Sequence, residues 1–313
     1  MSKGLDIVIV NWNSGRQLLR CLESISAFLP DELPLTLIVV DNASVDDSLN
    51  DIEKIGLPLT VIRNQVNRGF AVACNQGAAL CDSNYLLFLN PDTCLNQDSL
   101  VIPMAFMEEP QNSNIGICGI QLLDEIGQVA RSCARFPTPV MFATQIFGLN
   151  KLSWLRLKCL HMTDWDHSAT QTVDHVIGAF FLVRRSVFNC LNGFDERFFV
   201  YLEDLDFSLR TRQAGWLTVY LKEARAFHAG GGTTRQIKAT RLFYSLRSRL
   251  LYGFKHFNPI HAWLLLTLTI AVEPVARLSL ALKKKSWSEC NAIIPCYLLL
   301  LKNIPRMLLL QRK

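Results

Sequence analysis

LDIVIVNWN, residues 5–13, is a short β-rich run that stops abruptly at three polar residues. The same punctuation recurs. LTLIVV (35–40), LTVIR (59–63) and YLLFL (85–89) are further strand candidates, each closed by polar residues: Asp41-Asn42, Asn64 and Asn90-Pro91-Asp92. Between them lie stretches with helical spacing or composition: Ser14–Phe28, Val45–Ile55 and the small-residue segment Gly69–Leu80. Continuous apolar strands alternating with helices predict a parallel sheet covered on both faces. Ligands of open α/β sheets bind outside the carboxyl ends of the strands. The polar strand ends are therefore expected to converge on one crevice. Each alone is equally an ordinary turn or cap residue, since Asn and Asp favour both.

Further along, Ile115–Leu123 reads as a strand with a turn at Asp124–Gly127, and Val173–Val183 as another strand. A helix is predicted over 203–214, short strands over 216–221 and 224–228, and a basic helix over 237–256. The segment 132–170, with its Pro, Trp and His, gives only weak signals.

The chain has 313 residues, half of them hydrophobic, which suits one large domain or a domain with an appendage. The ten cysteines show no CxxC pair and no zinc spacing. With a polar start leading straight into a strand, this points to a reducing, cytosolic catalytic domain. The net charge of +5 is uneven: Lys283–Lys313 holds seven Lys/Arg and a single acid, Glu289. A basic tail beside apolar segments fits an anionic membrane surface better than a nucleic-acid groove.

Four constellations can carry chemistry. In FFVYLEDLDFSLR (198–210), Leu202, Leu205 and Leu209 are spaced as a buried helical stripe. Asp206 and Arg210 form an i, i+4 pair, and Glu203 suits a helix start. Asp204 belongs to neither pattern and is the candidate general base. Asn90-Pro91-Asp92-Thr93 closes a strand with a carboxylate that can reach a Mg2+ or Mn2+ ion on a diphosphate, or can simply cap a turn. His228, followed by Ala229, three glycines, two threonines and Arg235, offers a metal ligand and a phosphate-neutralising cation, or is a core histidine before a surface loop. In NRGFAVACN (67–75), small residues let a helix pack closely on the sheet with its N-terminus free. This is neither GxGxxG nor a P-loop.

Taken in order, VIVNWNS, VVDNASVDDS, NRGFAVACNQG, LLFLNPDT, GAFFLVRR, GFDERFFVYLEDLDFSLRTRQAGW and HAGGGTT resemble family 2 glycosyltransferases of the GT-A fold, in particular the bacterial rhamnosyltransferase-like branch. The resemblance spans about residues 5–235. It implies a Rossmann-like nucleotide-binding α/β fold with a mostly parallel central sheet. By that resemblance Asn11 and Trp12 line the base pocket and Asp41 contacts the nucleotide base. Asn67 and Gly69 lie against the nucleotide and diphosphate. Asn90 bonds a ribose hydroxyl, replacing the first acid of the usual DxD motif, while Asp92 and His228 hold the metal. Asp204 is the base, and Glu203 and Arg235 join the substrate-binding set. The implied reaction is inverting transfer from a nucleotide-sugar donor, dTDP-L-rhamnose or alternatively a UDP-hexose. The implied acceptor is a lipid-linked glycan of cell-surface polysaccharide synthesis, such as a polyprenyl diphosphate sugar or a lipopolysaccharide intermediate. A non-catalytic sugar-nucleotide-binding subunit is the reading from another class, and the joint presence of Asp92, Asp204 and His228 speaks against it.

Residues 236–313 are expected to form a helical, membrane-associating extension to the 1–235 catalytic domain. Ala262–Val272 and Ile293–Leu301 are apolar, but each falls short of the ~20 residues that a span needs. Lying in the interface at the cytoplasmic face of the inner membrane, peripheral or monotopic, is the expectation, with a pair of core helices or a re-entrant hairpin as the alternatives.

Overall fold

The computed structural model describes residues 4–30, 33–149, 158–230 and 238–309. In chain order the elements are β1 (Leu5–Asn11), α1 (Arg16–Phe28), β2 (Leu35–Asp41), β3 (Leu59–Arg63), α2 (Phe70–Ala78), β4 (Tyr85–Leu89), β5 (Thr93–Leu95) and α3 (Asp98–Glu108). There follow β6 (Ile115–Leu123), β7 (Cys133–Ala134), α4 (Pro139–Ile146), β8 (Gln171–Val173), β9 (His175–Val176), β10 (Phe180–Arg184) and α5 (Arg185–Cys190). The last are α6 (Glu203–Gln213), β11 (Leu217–His228), α7 (Lys238–His256), α8 (Pro259–Thr267), α9 (Glu273–Lys283) and α10 (Trp287–Leu309).

The central sheet runs β3-β2-β1-β4-β10-β6-β11-β5, with β8 paired to β11. The first four strands are parallel, as their apolar runs predict. Beyond β4 the sheet is mixed: β10 is antiparallel to both neighbours, and β11 is parallel to β6 but antiparallel to β5 and β8. Alternate side chains feed two cores. Leu5, Ile7 and Ile9 pack with Leu18 and Leu22 of α1 and Leu100 of α3. Val8 and Val10 pack with Ala71, Ala73 and Cys74 of α2 and Phe207 of α6. The small residues of α2 serve close approach, since a Cβ on Gly77 would stand 2.4 Å from Val8 Cγ1.

Three elements differ from the sequence reading. Val45–Ile55 holds a 3₁₀ turn only, at Ile52–Ile55. Its start is captured by side chains: Asp46 Oδ1 accepts from the Ser48 amide and hydroxyl, and Ser44 Oγ accepts from the Asn13 amide. Such local bonds compete with a helix. The two short strands expected over 216–228 are one strand, β11, with a register irregularity between Leu221 and Arg225. The strand expected over 173–183 is split among β8, β9 and β10.

Two compact units partition the chain. The first holds residues 1–135, 161–196 and 203–233, and hence the whole sheet. The second holds 136–160, 197–202 and 234–313, so two earlier segments join the C-terminal helices.

Candidate active site

The parallel register sets Asn11 directly beside Asp41 at the carboxyl ends of β1 and β2. Asn11 Nδ2 donates to Asp41 Oδ1 and Ser48 Oγ, both at 2.8 Å, and to Ser44 Oγ at 3.1 Å. Its Oδ1 accepts from the Ser14 hydroxyl. Asp41 Oδ2 accepts the Ser44 amide at 3.2 Å. Both side chains are buried, and Trp12 follows half-buried. Next along the edge, Asn42 Nδ2 donates to the Gly69 carbonyl at 3.1 Å, and the Gly69 amide donates to Asn67 Oδ1 at 2.9 Å. Gly69 has φ +89° immediately before α2, a conformation that disfavours side chains and leaves the helix N-terminus open to an anion.

The turn after β4 and the end of β11 meet through β5, whose Thr93 pairs with His228. This places His228 Nε2 3.3 Å from Asp92 Oδ1, both side chains being largely buried. Beside Asp92 lies a cavity of about 270 Å³ that Arg20 also lines. A carboxylate oxygen and an imidazole nitrogen converging at one point, with room alongside, are a donor pair that would suit Mg2+ or Mn2+. Among the described residues, no third His, Cys, Asp or Glu joins them.

The acidic stretch begins α6. The chain enters it through two consecutive left-handed residues, Tyr201 (φ +69°) and Leu202 (φ +66°). Non-glycine residues adopt this conformation at a cost, and it clusters at functional sites. Leu202 therefore lies outside the helix and Leu209 is only half-buried. The expected leucine stripe is replaced by a helix buried at Leu205, Asp206, Phe207, Ser208 and Thr211. Asp206 is fully buried and paired with Arg210 Nε at 2.9 Å, as the i, i+4 spacing predicts. Arg210 also donates to the Leu191 and Gly193 carbonyls.

Asp204 remains partly open to solvent. Its Oδ2 accepts the Gly178 amide and its Oδ1 the Leu205 amide, both at 2.8 Å. The neighbouring residue Ala179 accepts from the Asn90 amide at 3.1 Å and the Thr93 hydroxyl at 3.2 Å. The Gly178-Ala179 dipeptide thus ties the candidate base to the metal-side turn. Glu203 is 5 % exposed, and its Oε2 has no hydrogen-bond partner. Burial first, then the adjacent Asp204 and Asp206, push its carboxyl well above the usual range. Arg235 lies outside the described residues.

Sequence reasoning did not find His175. It is buried, with Nδ1 2.9 Å from Ser208 Oγ and Nε2 3.6 Å from Asp204 Oδ2. Burial lowers its pKa, against the opposing pull of Asp204. No local spacing links residue 175 to residue 204, so nothing in the sequence signalled the pairing. The serines 14, 44 and 48 were missed too, although they stand in or beside the polar strand ends.

Comparison with known proteins settles the class. The signature of Glycosyl transferase family 2 matches residues 6–191, more than half of the chain. The chain belongs to glycosyl transferase family 2. Among relatives, it is 26% identical over 266 residues to the N-acetylglucosaminyl-diphospho-decaprenol L-rhamnosyltransferase of Mycobacterium tuberculosis, covering 80% of this chain and 84% of that protein. It is 30% identical over 173 residues to rhamnosyltransferase WbbL of Escherichia coli K12, covering 55% and 62% respectively. Its fold is GT-A. The mannosyltransferase PcManGT from Pyrobaculum calidifontis, solved with GDP-Man and Mn2+, superposes with TM-score 0.54 at 16% identity, over 97% of this chain and 80% of that one. This family 2 chain is therefore a glycosyltransferase whose polar strand ends line the usual ligand side of an α/β sheet.

Proposed function

We propose that this glycosyltransferase moves L-rhamnose from dTDP-L-rhamnose onto a lipid-linked glycan, with inversion, at the cytoplasmic face of the inner membrane during cell-surface polysaccharide synthesis. The observation that carries the chemistry is the Gly178-Ala179 link, which gathers Asp204 and the Asn90–Asp92 turn into one region. The donor and acceptor are argued from the relatives, both named rhamnosyltransferases, one of them acting on a diphospho-decaprenol sugar. A UDP-hexose is the alternative donor.

In this reading the sheet edge from Asn11 to Gly69 receives the nucleotide. The amides of Gly178 and Leu205 fix the Asp204 carboxylate. Asp204 takes the proton of an acceptor hydroxyl as its oxygen attacks the anomeric carbon from the face opposite the nucleotide. The anomeric C–O bond to the diphosphate breaks, and nucleoside diphosphate leaves. A single base with in-line attack gives inversion, with no carboxylate nucleophile. A Mg2+ or Mn2+ ion held by Asp92 and His228 would neutralise charge on the departing diphosphate.

A donor screen tests this reading. Membranes containing the full chain and a polyprenyl-diphosphate sugar acceptor are given dTDP-rhamnose, UDP-glucose, UDP-galactose or UDP-GlcNAc, and released nucleoside diphosphate is measured. Release of dTDP alone, with an inverted linkage in the product, is expected. Release of UDP alone would replace the donor assignment.

A further inference from the structure

The second unit contains a helical hairpin that is polar in an unexpected place. Pro259–Lys283 runs as one helix of 25 residues, through a π turn at Leu268–Val272. Lys284–Ser286 turn the chain, and α10 returns over 23 residues. On the first arm, positions 260, 264, 267, 271, 275, 278 and 282 are exposed, and all but Thr267 are apolar. The steps of three and four make one continuous outward stripe. On the second arm, Trp287, Ile294, Leu298 and Leu301 repeat the pattern, at 71%, 63%, 56% and 46% exposure. Meanwhile Glu273, near the middle of the first arm, faces inward. Glu273 is 2% exposed and bonds Arg249 of α7, which also donates to Thr269 Oγ1 at 3.0 Å. Arg277 adds two bonds to Glu273, at 2.9 and 2.7 Å.

A core helix of a water-soluble domain has the opposite arrangement, and an unpartnered apolar surface of this extent marks an interaction face. A transmembrane hairpin fits no better. Glu273 sits near the middle of its helix, and its partner Arg249 belongs to α7, which packs on both α8 and α10. Spanning would draw α7 inward with Arg241, Arg247 and Lys255. It would also carry Lys283, Lys284 and Lys285 across the bilayer, against the distribution of basic residues in membrane proteins. Lying flat meets none of these costs. The stripes then enter the headgroup–acyl boundary while Lys283–Lys285, Lys302 and Arg306 meet lipid phosphates, each worth about 1 kcal/mol.

We propose that the hairpin 259–309 lies in the plane of an anionic bilayer, its two outward stripes in the acyl boundary and its Glu273 face held against α7. This deepens the membrane-surface part of the proposed function and names the surface responsible. Trp263, 52% exposed, and Trp287 report from the two arms. The full-length protein is mixed with phosphatidylglycerol–phosphatidylcholine vesicles brominated either near the headgroup end or near the methyl end of the acyl chains. Stronger quenching by the shallow bromines is expected, and it should drop on Trp263→Phe and again on Trp287→Phe. Ile294→Glu with Leu298→Glu should weaken flotation with vesicles by at least about tenfold, roughly 1.4 kcal/mol, while thermal midpoint and nucleotide binding hold. Deeper quenching from the methyl end would mean a spanning hairpin. No quenching, together with a monomer–dimer equilibrium abolished by the double substitution, would mean that a second copy covers the stripes. Transfer to a soluble acceptor analogue, measured in parallel, separates failure of the membrane surface from failure of the transferase reading.

Discussion

The Asn11–Asp41 strand ends and the acidic start of α6 are built on opposite plans. Around Asn11, each side-chain polar atom has a partner: three acceptors for Nδ2, the Ser14 hydroxyl for Oδ1, and both Asp41 oxygens engaged. Around Asp204 the polar capacity is only partly spent, each of its oxygens accepting one backbone amide. Glu203 Oε2 has no partner, His175 stands 3.6 Å away, and the preceding backbone is held left-handed at two residues. A saturated network fixes a shape before any ligand arrives. An unsaturated one carries a standing cost and is found where chemistry needs a free group. On the proposed reading the first region is a preformed seat for the nucleotide, and the second is where Asp204 would take up a proton.

Substitutions test that contrast. The largest effect is expected at Asp204→Asn, where kcat should fall by about 10²–10⁴ while nucleotide-sugar affinity is retained. Single-turnover rates and equilibrium binding separate the two, and unchanged turnover would remove Asp204 from the role of base. Asp92→Ala should lose most activity, and excess chelator should do the same to the unsubstituted enzyme, with recovery on adding Mn2+. Full activity in chelator would leave Asp92 and His228 a plain structural contact. Asn11→Ala should act differently, weakening donor binding and lowering the unfolding free energy by about 1–3 kcal/mol, because Asp41 and Ser48 lose a buried donor. Denaturant melts and donor titrations would show it, and a kcat effect alone would blur the contrast between the two regions.

Two smaller effects concern pH. Burial raises the native Glu203 carboxyl above its unfolded value of about 4.3, so its contribution to stability falls as pH rises from there. Glu203→Gln should remove that decline, giving a thermal midpoint that drops less toward alkaline pH than the parent's. His175 has the reverse sign. Its native pKa is lowered by burial, so the unfolded state binds the extra proton and stability falls as pH drops below about 6.5, by at most about 1.4 kcal/mol per pH unit. His175→Phe should flatten that acid limb.

What the sequence revealed follows from range. Strands β1 to β4 are continuous apolar runs and were legible because their signal lies within a few residues. The Asp206–Arg210 pair was legible for the same reason, as one turn of helix. His175 and Gly178 reach Asp204 across more than twenty positions and leave no local trace. The interrupted apolar segment after residue 262 misled in another way. Pro274 lacks an N–H, which looks like a helix end, but the π turn at Leu268–Val272 absorbs the mismatch and the helix continues. The place of 136–149 in the helical unit is likewise a matter of tertiary packing, which no periodicity records.

Gly178 also offers an engineering handle on the proposed base, Asp204. A methyl group there would stand 3.2 Å from Asp204 Oδ2, closer than most carbons sit to a neighbour. Alanine would nudge the carboxylate by a few tenths of an ångström without changing its charge or its amide donor, and serine would push slightly further. A graded series at this one position would measure how steeply the rate depends on where the base stands, with the acid itself left untouched.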